Sequence, residues 1–217
     1  LIDDEQRIRK LKDFHVWERT APHTRPKSFM IGDIRITPFF NSHSIYDSYM
    51  VLIEADGKRI WHTGDYRDHG YLGKGLYPTL HRYASNIDLL ITEGTTLKRG
   101  DLCIQESEVS RRMACVMSAF KYVIVLASAT DIERLASVKT AALKARKGLY
   151  YTGGMMGRAM RIFTHREAKS SKGLFAFHFK YVGEDDPKLG EMQKKGFVLV
   201  TGASHLDFVK KMCQGLS

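Results

Sequence analysis

The chain has 217 residues, 43% hydrophobic and 27% charged, enough apolar material for one large or two small domains and too much for intrinsic disorder. No apolar run approaches the roughly 18 residues of a membrane-spanning helix, and Cys103, Cys115 and Cys213, odd in number and without C-x-x-C spacing, exclude a disulfide scaffold or a zinc ribbon. The balance of 34 Lys and Arg against 24 Asp and Glu leaves +10, a charge that attracts polyanions.

Ile8 and Leu11, set among charges in residues 4–14, predict a short surface helix. The period-two run of Ile34, Ile36, Pro38 and Phe40 predicts a half-buried strand reaching Asn41. Residues 49–54 and 58–62 are apolar runs joined by Ala55-Asp56-Gly57. Asp-Gly between such runs predicts a hairpin, because glycine accepts φ > 0 in the turn. Residues 87–92 predict a buried strand ending at Glu93. The texture then changes, with a helix expected over 107–119 and a β-branched, buried strand over 122–127. A long helix follows over 131–147, with Ile132, Leu135, Val138, Ala142 and Leu143 on one face and Gly148 as its stop. Residues 149–152 predict a strand, and Gly153-Gly154-Met155-Met156-Gly157 opens another helix. Strands over 175–179 and 197–201 and a helix over 206–214 complete the pattern. Strand–helix alternation implies a parallel sheet wrapped by helices. The fold class is therefore α/β, with residues 1–98 mainly β and residues 99–217 an α/β domain.

The charge follows the same division. Residues 1–98 carry 14 basic and 13 acidic side chains, whereas residues 99–217 carry 20 and 11. Within 110–172 the count is 13 to 3, with Arg111, Arg112, Arg134, Lys139, Lys144, Arg146, Lys147, Arg158, Arg161 and Arg166 among the basic residues. Such a segment reads as a track for a nucleic-acid backbone or as a solvated helix face. Arg158 and Arg161, after the glycine-rich turn, are placed to assist a phosphate at a helix start. Close helix–strand packing is the other use of such glycines. Met155, Met156 and Met160 read as core filling, and Tyr150, Tyr151 and Phe163 as buried aromatics or as base-stacking platforms.

Three polar residues sit at strand ends in the first half: His43, Asp65 and Glu93. Loops leaving adjacent strands can meet on one rim, where a His nitrogen and a carboxylate can share a zinc ion. A carboxylate can also bridge two ions. Taken singly, Asp65 reads more readily as a turn cap after Gly64, and His43 as a hydrogen-bonded loop residue.

Taken in order, "NSHSIYDS" at 41–48, "IWHTGDYRDHG" at 60–70 and "IDLLITEGT" at 87–95 resemble the later motifs of the metallo-β-lactamase fold. More narrowly, they resemble the ribonuclease J and cleavage-factor type, which carries an inserted β-CASP domain. The run from Val123 to Ile162 is similar to the strand–helix–strand–helix segment of that insertion. The resemblance implies part of a metallo-β-lactamase αββα sandwich in residues 1–98 and a β-CASP-like α/β domain with a mainly parallel sheet in 99–217. It implies His43 and Asp65 as zinc ligands, with Asp65 bridging two metals and serving catalysis. Glu93 matches the first β-CASP motif, whose carboxylate supports a catalytic histidine. The implied activity is hydrolysis of RNA by a zinc-bound hydroxide, with Arg134, Arg158 and Arg161 holding RNA. A cytoplasmic setting is expected, and nothing excludes a homo-oligomer.

Two family motifs are missing. The H-x-H-x-D-H signature should precede His43, yet no two of the nine histidines lie two residues apart. The late "H-x-S-G-H-A" stretch is also missing, although "GASHLDFVKKM" around His205 is similar to a "SAHTD" form; His205 is expected to be a loop residue. The opening Leu1-Ile2-Asp3-Asp4-Glu5 lacks the basic and apolar regions of a signal peptide. The expectation is an internal piece of a longer protein, with one or two zinc ions incompletely held by this piece. The other readings are a non-catalytic RNA-binding platform and a hydrolase of small esters, lactams or phosphoesters.

Overall fold

A computed structural model describes residues 27–95, 103–166, 173–184 and 186–214. The helix expected over 4–14 lies outside the described residues. Strands β1 (Phe29–Ile31), β2 (Ile34–Asn41), β3 (Ser48–Ala55), β4 (Lys58–His62) and β5 (Leu89–Ile91) form one sheet in that order. The first three junctions are antiparallel, while β4 and β5 pair in parallel. The hairpin at Asp56-Gly57 forms as expected, with φ of 49° and 70° at its two central residues and Ala55 facing Lys58 across it. Both positive values belong to the turn whose twist matches antiparallel strands. Pro38 lies in β2 beyond the reach of β1, which pairs only with residues 34–36. Its missing N–H therefore breaks no β1–β2 bond.

Helix α1 (Leu76–Tyr83) covers one face of this sheet. Phe39, Met50, Leu52 and Trp61 are buried beneath its Leu76, with Leu80 and Tyr83 packed alongside. No element was expected over these residues. Pro78 falls in the first helical turn, where its missing donor has no partner to lose. The apolar run at 87–92 is corrected: Leu89, Leu90 and Ile91 form an exposed edge strand, not a buried one.

The second sheet is parallel throughout, in the order β6 (Tyr122–Leu126), β9 (Phe197–Thr201), β7 (Gly148–Tyr151) and β8 (Lys180–Tyr181). Central β9 is buried along its whole length. Val198 and Val200 face a core with α2 (Glu106–Ala119), α3 (Ile132–Lys144) and α4 (Gly154–Arg166). Phe197 and Leu199 face the opposite core with α5 (Lys188–Lys195) and α6 (Leu206–Gln214). A strand buried on both sides reads as an unbroken apolar run, as 197–201 does. The α/β class and parallel sheet thus agree with expectation. No helix among the described residues is long and apolar enough to cross a membrane.

Three further departures have physical causes. The expected strand at 175–179 is irregular backbone, with Phe177 buried and packed edge-on against Phe179 at 5.5 Å. Lys139 Nζ donates to the carbonyls of Gly173 and Ala176 and takes the place of a neighbouring strand there. Leu143 is exposed, because the buried face of α3 runs through Ile132, Leu135, Ala136, Val138, Ala141 and Ala142. Helix α5 carries one buried apolar side chain, Met192, and so has no readable stripe.

Candidate functional site

Strands β2, β4 and β5 run in one direction, since β2 and β4 both oppose β3 and β5 parallels β4. Their C-terminal ends therefore share a rim, and His43, Asp65 and Glu93 lie just beyond those ends. Asn41 closes the gap between two of the exits: its Nδ2 donates to Thr63 O at 3.2 Å and to Asp65 O at 2.8 Å. Gly64 makes the turn that follows β4, with φ of 57°, and a Cβ there would sit 2.9 Å from Tyr49 O. Only glycine satisfies both the backbone and the close approach.

These constraints leave His43 Nε2 3.9 Å from Asp65 Oδ2. Glu93 is tied to the same loop, accepting from Tyr66 N and from Thr95 Oγ1, each at 2.6 Å. The Thr95 hydroxyl and the Tyr66 amide, with a lesser contribution from the charge of His43, hold the Glu93 carboxyl below its ordinary range against the opposing effect of burial. Glu93 is thus a carboxylate acting on the backbone next to Asp65, one step removed from the His43–Asp65 pair.

A tetrahedral zinc bonded to a His nitrogen and a carboxylate oxygen would keep those atoms about 3.4 Å apart, so the pair at 3.9 Å lies about half an ångström wider than one shared ion needs. The donor chemistry fits zinc, but two donors are one short of the three a catalytic site uses. Among the described residues no group of three His, Cys, Asp or Glu side chains converges to hold a metal.

The second half of the chain meets this rim through the loop before α3 and its first turn. Tyr46 N donates to Thr130 O at 3.0 Å. Arg67 Nη1 donates to Asp131 Oδ2 at 3.0 Å, and Ser42 Oγ donates to Glu133 Oε1 at 2.5 Å. Glu133 is buried, and its other oxygen accepts from Leu72 N at 3.0 Å. A cavity of about 400 Å³ opens beside His43, walled by Phe39, Ile45 and Leu72 from the first half and Ile132, Glu133 and Phe175 from the second.

The three arginines expected to bind nucleic acid are placed differently. Arg134 is paired with buried Glu106, with Nη2 to Oε1 at 2.7 Å. Arg158 and Arg161 are exposed on α4. Before them, Gly154 has φ of 64°, and a Cβ on it would sit 2.5 Å from His205 Cε1. The glycine turn therefore serves close packing against His205, which lies in a turn leading into α6. Sequence reading missed Asn41, Arg67, Asp131 and Glu133. Asn41 stood inside a quoted motif, but the partner of Glu133 lies 91 residues away and leaves no local trace.

No protein-family profile matches the sequence, and no curated protein matches it. Among solved structures the chain is similar to a protein of unknown function from Enterococcus faecalis V583, at 15% identity and a TM-score of 0.62. The alignment covers 83% of this chain and 44% of that one, so the chain spans less than half the length of that structure. At this identity the likeness is one of fold alone.

Proposed function

We propose that this chain is part of a metal-dependent hydrolase of phosphodiester bonds in RNA, with His43 and Asp65 holding the ion. The observation that carries the proposal is the approach of His43 Nε2 to 3.9 Å from Asp65 Oδ2, where two strand ends meet. The motif resemblance to ribonuclease J-like metallo-β-lactamase folds supports the same assignment. A divalent ion bound there supplies Lewis acidity toward a phosphoryl oxygen and activates a water at neutral pH. The protein's own part is orientation. Asn41 holds the backbone of Asp65, and Glu93 holds the following amide. Under this reading the remaining donors come from polypeptide outside the described residues. The exposed Arg158 and Arg161 supply positive charge for an RNA backbone.

A non-catalytic RNA-binding role is the second reading, favoured by the lack of a third donor among the described residues. Metal analysis and RNA cleavage, measured on the longest natural protein containing this sequence, decide between them. We expect bound zinc and metal-dependent cleavage, with Asp65→Ala lowering the rate by about 100-fold or more, since even partners of metal ligands are worth about 10–100-fold. Equal rates for the two proteins would remove Asp65 from the mechanism. Salt-sensitive RNA binding without zinc or cleavage would establish the non-catalytic role.

A further inference from the structure

The segment Thr130–Glu133 comes from the second half of the chain, yet it grips both loops that carry the His43–Asp65 pair. On the His43 loop, Ser42 donates its hydroxyl to Glu133, Tyr46 donates its amide to Thr130, and Thr130 Oγ1 lies 3.5 Å from Ser44 O. On the Asp65 loop, Arg67 donates to the Asp131 carboxylate, and Leu72 donates its amide to Glu133. The loops are also tied to each other, since Arg67 N donates to Ser42 O at 2.7 Å. His43 is therefore flanked on both sides in sequence by residues anchored to one short segment.

Glu133 is the centre of this arrangement. It is 3% exposed, and among the described residues no cation pairs with it. Its oxygens are taken by the Ser42 hydroxyl and the Leu72 amide. A buried carboxylate with only neutral partners is a costly choice for stability alone. A leucine or methionine there would fill the volume without that cost. The packing is close as well: a Cβ on Gly70 would lie 2.3 Å from both Glu133 Oε2 and Ser42 Oγ. Such an approach fixes the height of the 66–72 loop over the helix. A carboxylate accepting two charge-assisted bonds holds two backbones at one spacing, which is what a shared pair of metal donors needs.

We propose that Glu133 is a positioning residue for the His43–Asp65 pair, acting through Ser42 and Leu72. This rests on the hydrolase reading above. Partners one bond removed from metal ligands change metal affinity or activity by about 10–100-fold.

The test compares the natural protein containing this sequence with Glu133→Ala, Ser42→Ala and Glu133→Gln. Gln keeps both bonds, its Oε1 accepting from Leu72 N and its amide donating to Ser42 Oγ. For Glu133→Ala and Ser42→Ala, we expect zinc affinity, read by chelator competition, to fall about tenfold. We expect kcat for RNA to fall by about the same factor with KM within twofold, and the Tyr46 and Arg67 amides to exchange hydrogen at least about tenfold faster while strand β3 is unchanged. Glu133→Gln should stay within threefold of wild type on every measure. Unchanged exchange at Tyr46 and Arg67, faster exchange throughout the chain, or a loosened loop with intact zinc affinity would each overturn the proposal. So would Glu133→Gln failing as severely as Glu133→Ala. If the wild type binds no zinc and cleaves no RNA, the hydrolase reading fails. The exchange data then decide separately whether Glu133 holds the loop.

Discussion

At the scale of single residues, the Glu106–Arg134 pair commits a basic side chain to a contact within the fold. Glu106 opens α2 and is 1% exposed. Burial pushes its carboxyl up, but the Arg134 guanidinium and the Ser137 hydroxyl outweigh burial and hold it below its ordinary value of 4.5. Arg134 approaches with Nε and Nη2, the latter at 2.7 Å, and Ser137 Oγ donates at 2.7 Å. Removing one member of a buried pair costs roughly 3–5 kcal/mol, because a charge is stranded. Arg134 is 37% exposed, so water recovers part of that loss. Arg134→Ala should therefore lower unfolding free energy by about 2–3 kcal/mol in urea titration. Replacing both residues, as Glu106→Leu with Arg134→Met, should restore most of it. The pH dependence has a definite sign. Because the folded carboxyl titrates below the unfolded one, its contribution is complete above pH 4.5 and disappears as the pH falls through the lowered folded value. Glu106→Gln should flatten stability across that window. A loss within about 0.5 kcal/mol for Arg134→Ala would instead make Arg134 an ordinary surface arginine.

At the scale of elements, legibility depended on whether the signal was local. The Asp56-Gly57 hairpin and the double-sided core strand Phe197–Thr201 were readable because turn chemistry and an apolar run sit in consecutive residues. The rim that gathers His43, Asp65 and Glu93 was readable only as three strand ends. Asn41 and Glu133, which fix their spacing, act across 24 and 91 residues and leave no periodic mark. The end of α3 shows a local signal read one step wrong. Gly148 looked like the helix stop, but the left-handed residue is Arg146, with φ of 55°. Arg146 N donates to Leu143 O and Lys147 N to Ala142 O, the paired bonds that close a helix with a left-handed cap. Gly148 instead starts β7. A side chain at positive φ costs roughly 1 kcal/mol, which glycine avoids at some cost in unfolded-state entropy. We expect Arg146→Gly to stabilise the protein by about 0.5–1 kcal/mol and Lys144→Gly, at the last helical residue, to destabilise it by up to about 1 kcal/mol. Both values come from denaturant midpoints. Destabilisation by Arg146→Gly would show that its side chain holds something the backbone argument omits.

At the scale of the whole molecule, the uneven charge shrinks once side chains find partners. Residues 110–172 hold 13 basic side chains, yet several of these are occupied within the fold. Arg111 and Arg112 share Glu108, whose carboxyl is pulled down to about 2 by those two guanidinium groups. Arg134 belongs to Glu106. Lys139 and Lys147 donate to backbone carbonyls. Lys144, Arg146, Arg158 and Arg161 remain exposed and outside the ion pairs of the described residues. A polyanion therefore meets fewer cations than composition implies. Each phosphate neutralised on a single strand contributes roughly 0.7 to the slope of log affinity against log salt. If Arg158 and Arg161 both contact RNA, replacing them with alanine should flatten that slope by about 1.4 and weaken binding at low salt most. Lys139→Ala, by contrast, should lower stability and leave the slope unchanged, since its ammonium already caps Gly173 and Ala176. Titrating a short single-stranded RNA at several salt concentrations separates these outcomes. A slope that does not move in the double arginine variant would place the RNA-facing charge elsewhere on the molecule. An affinity indifferent to salt in the wild type would end the polyanion reading altogether.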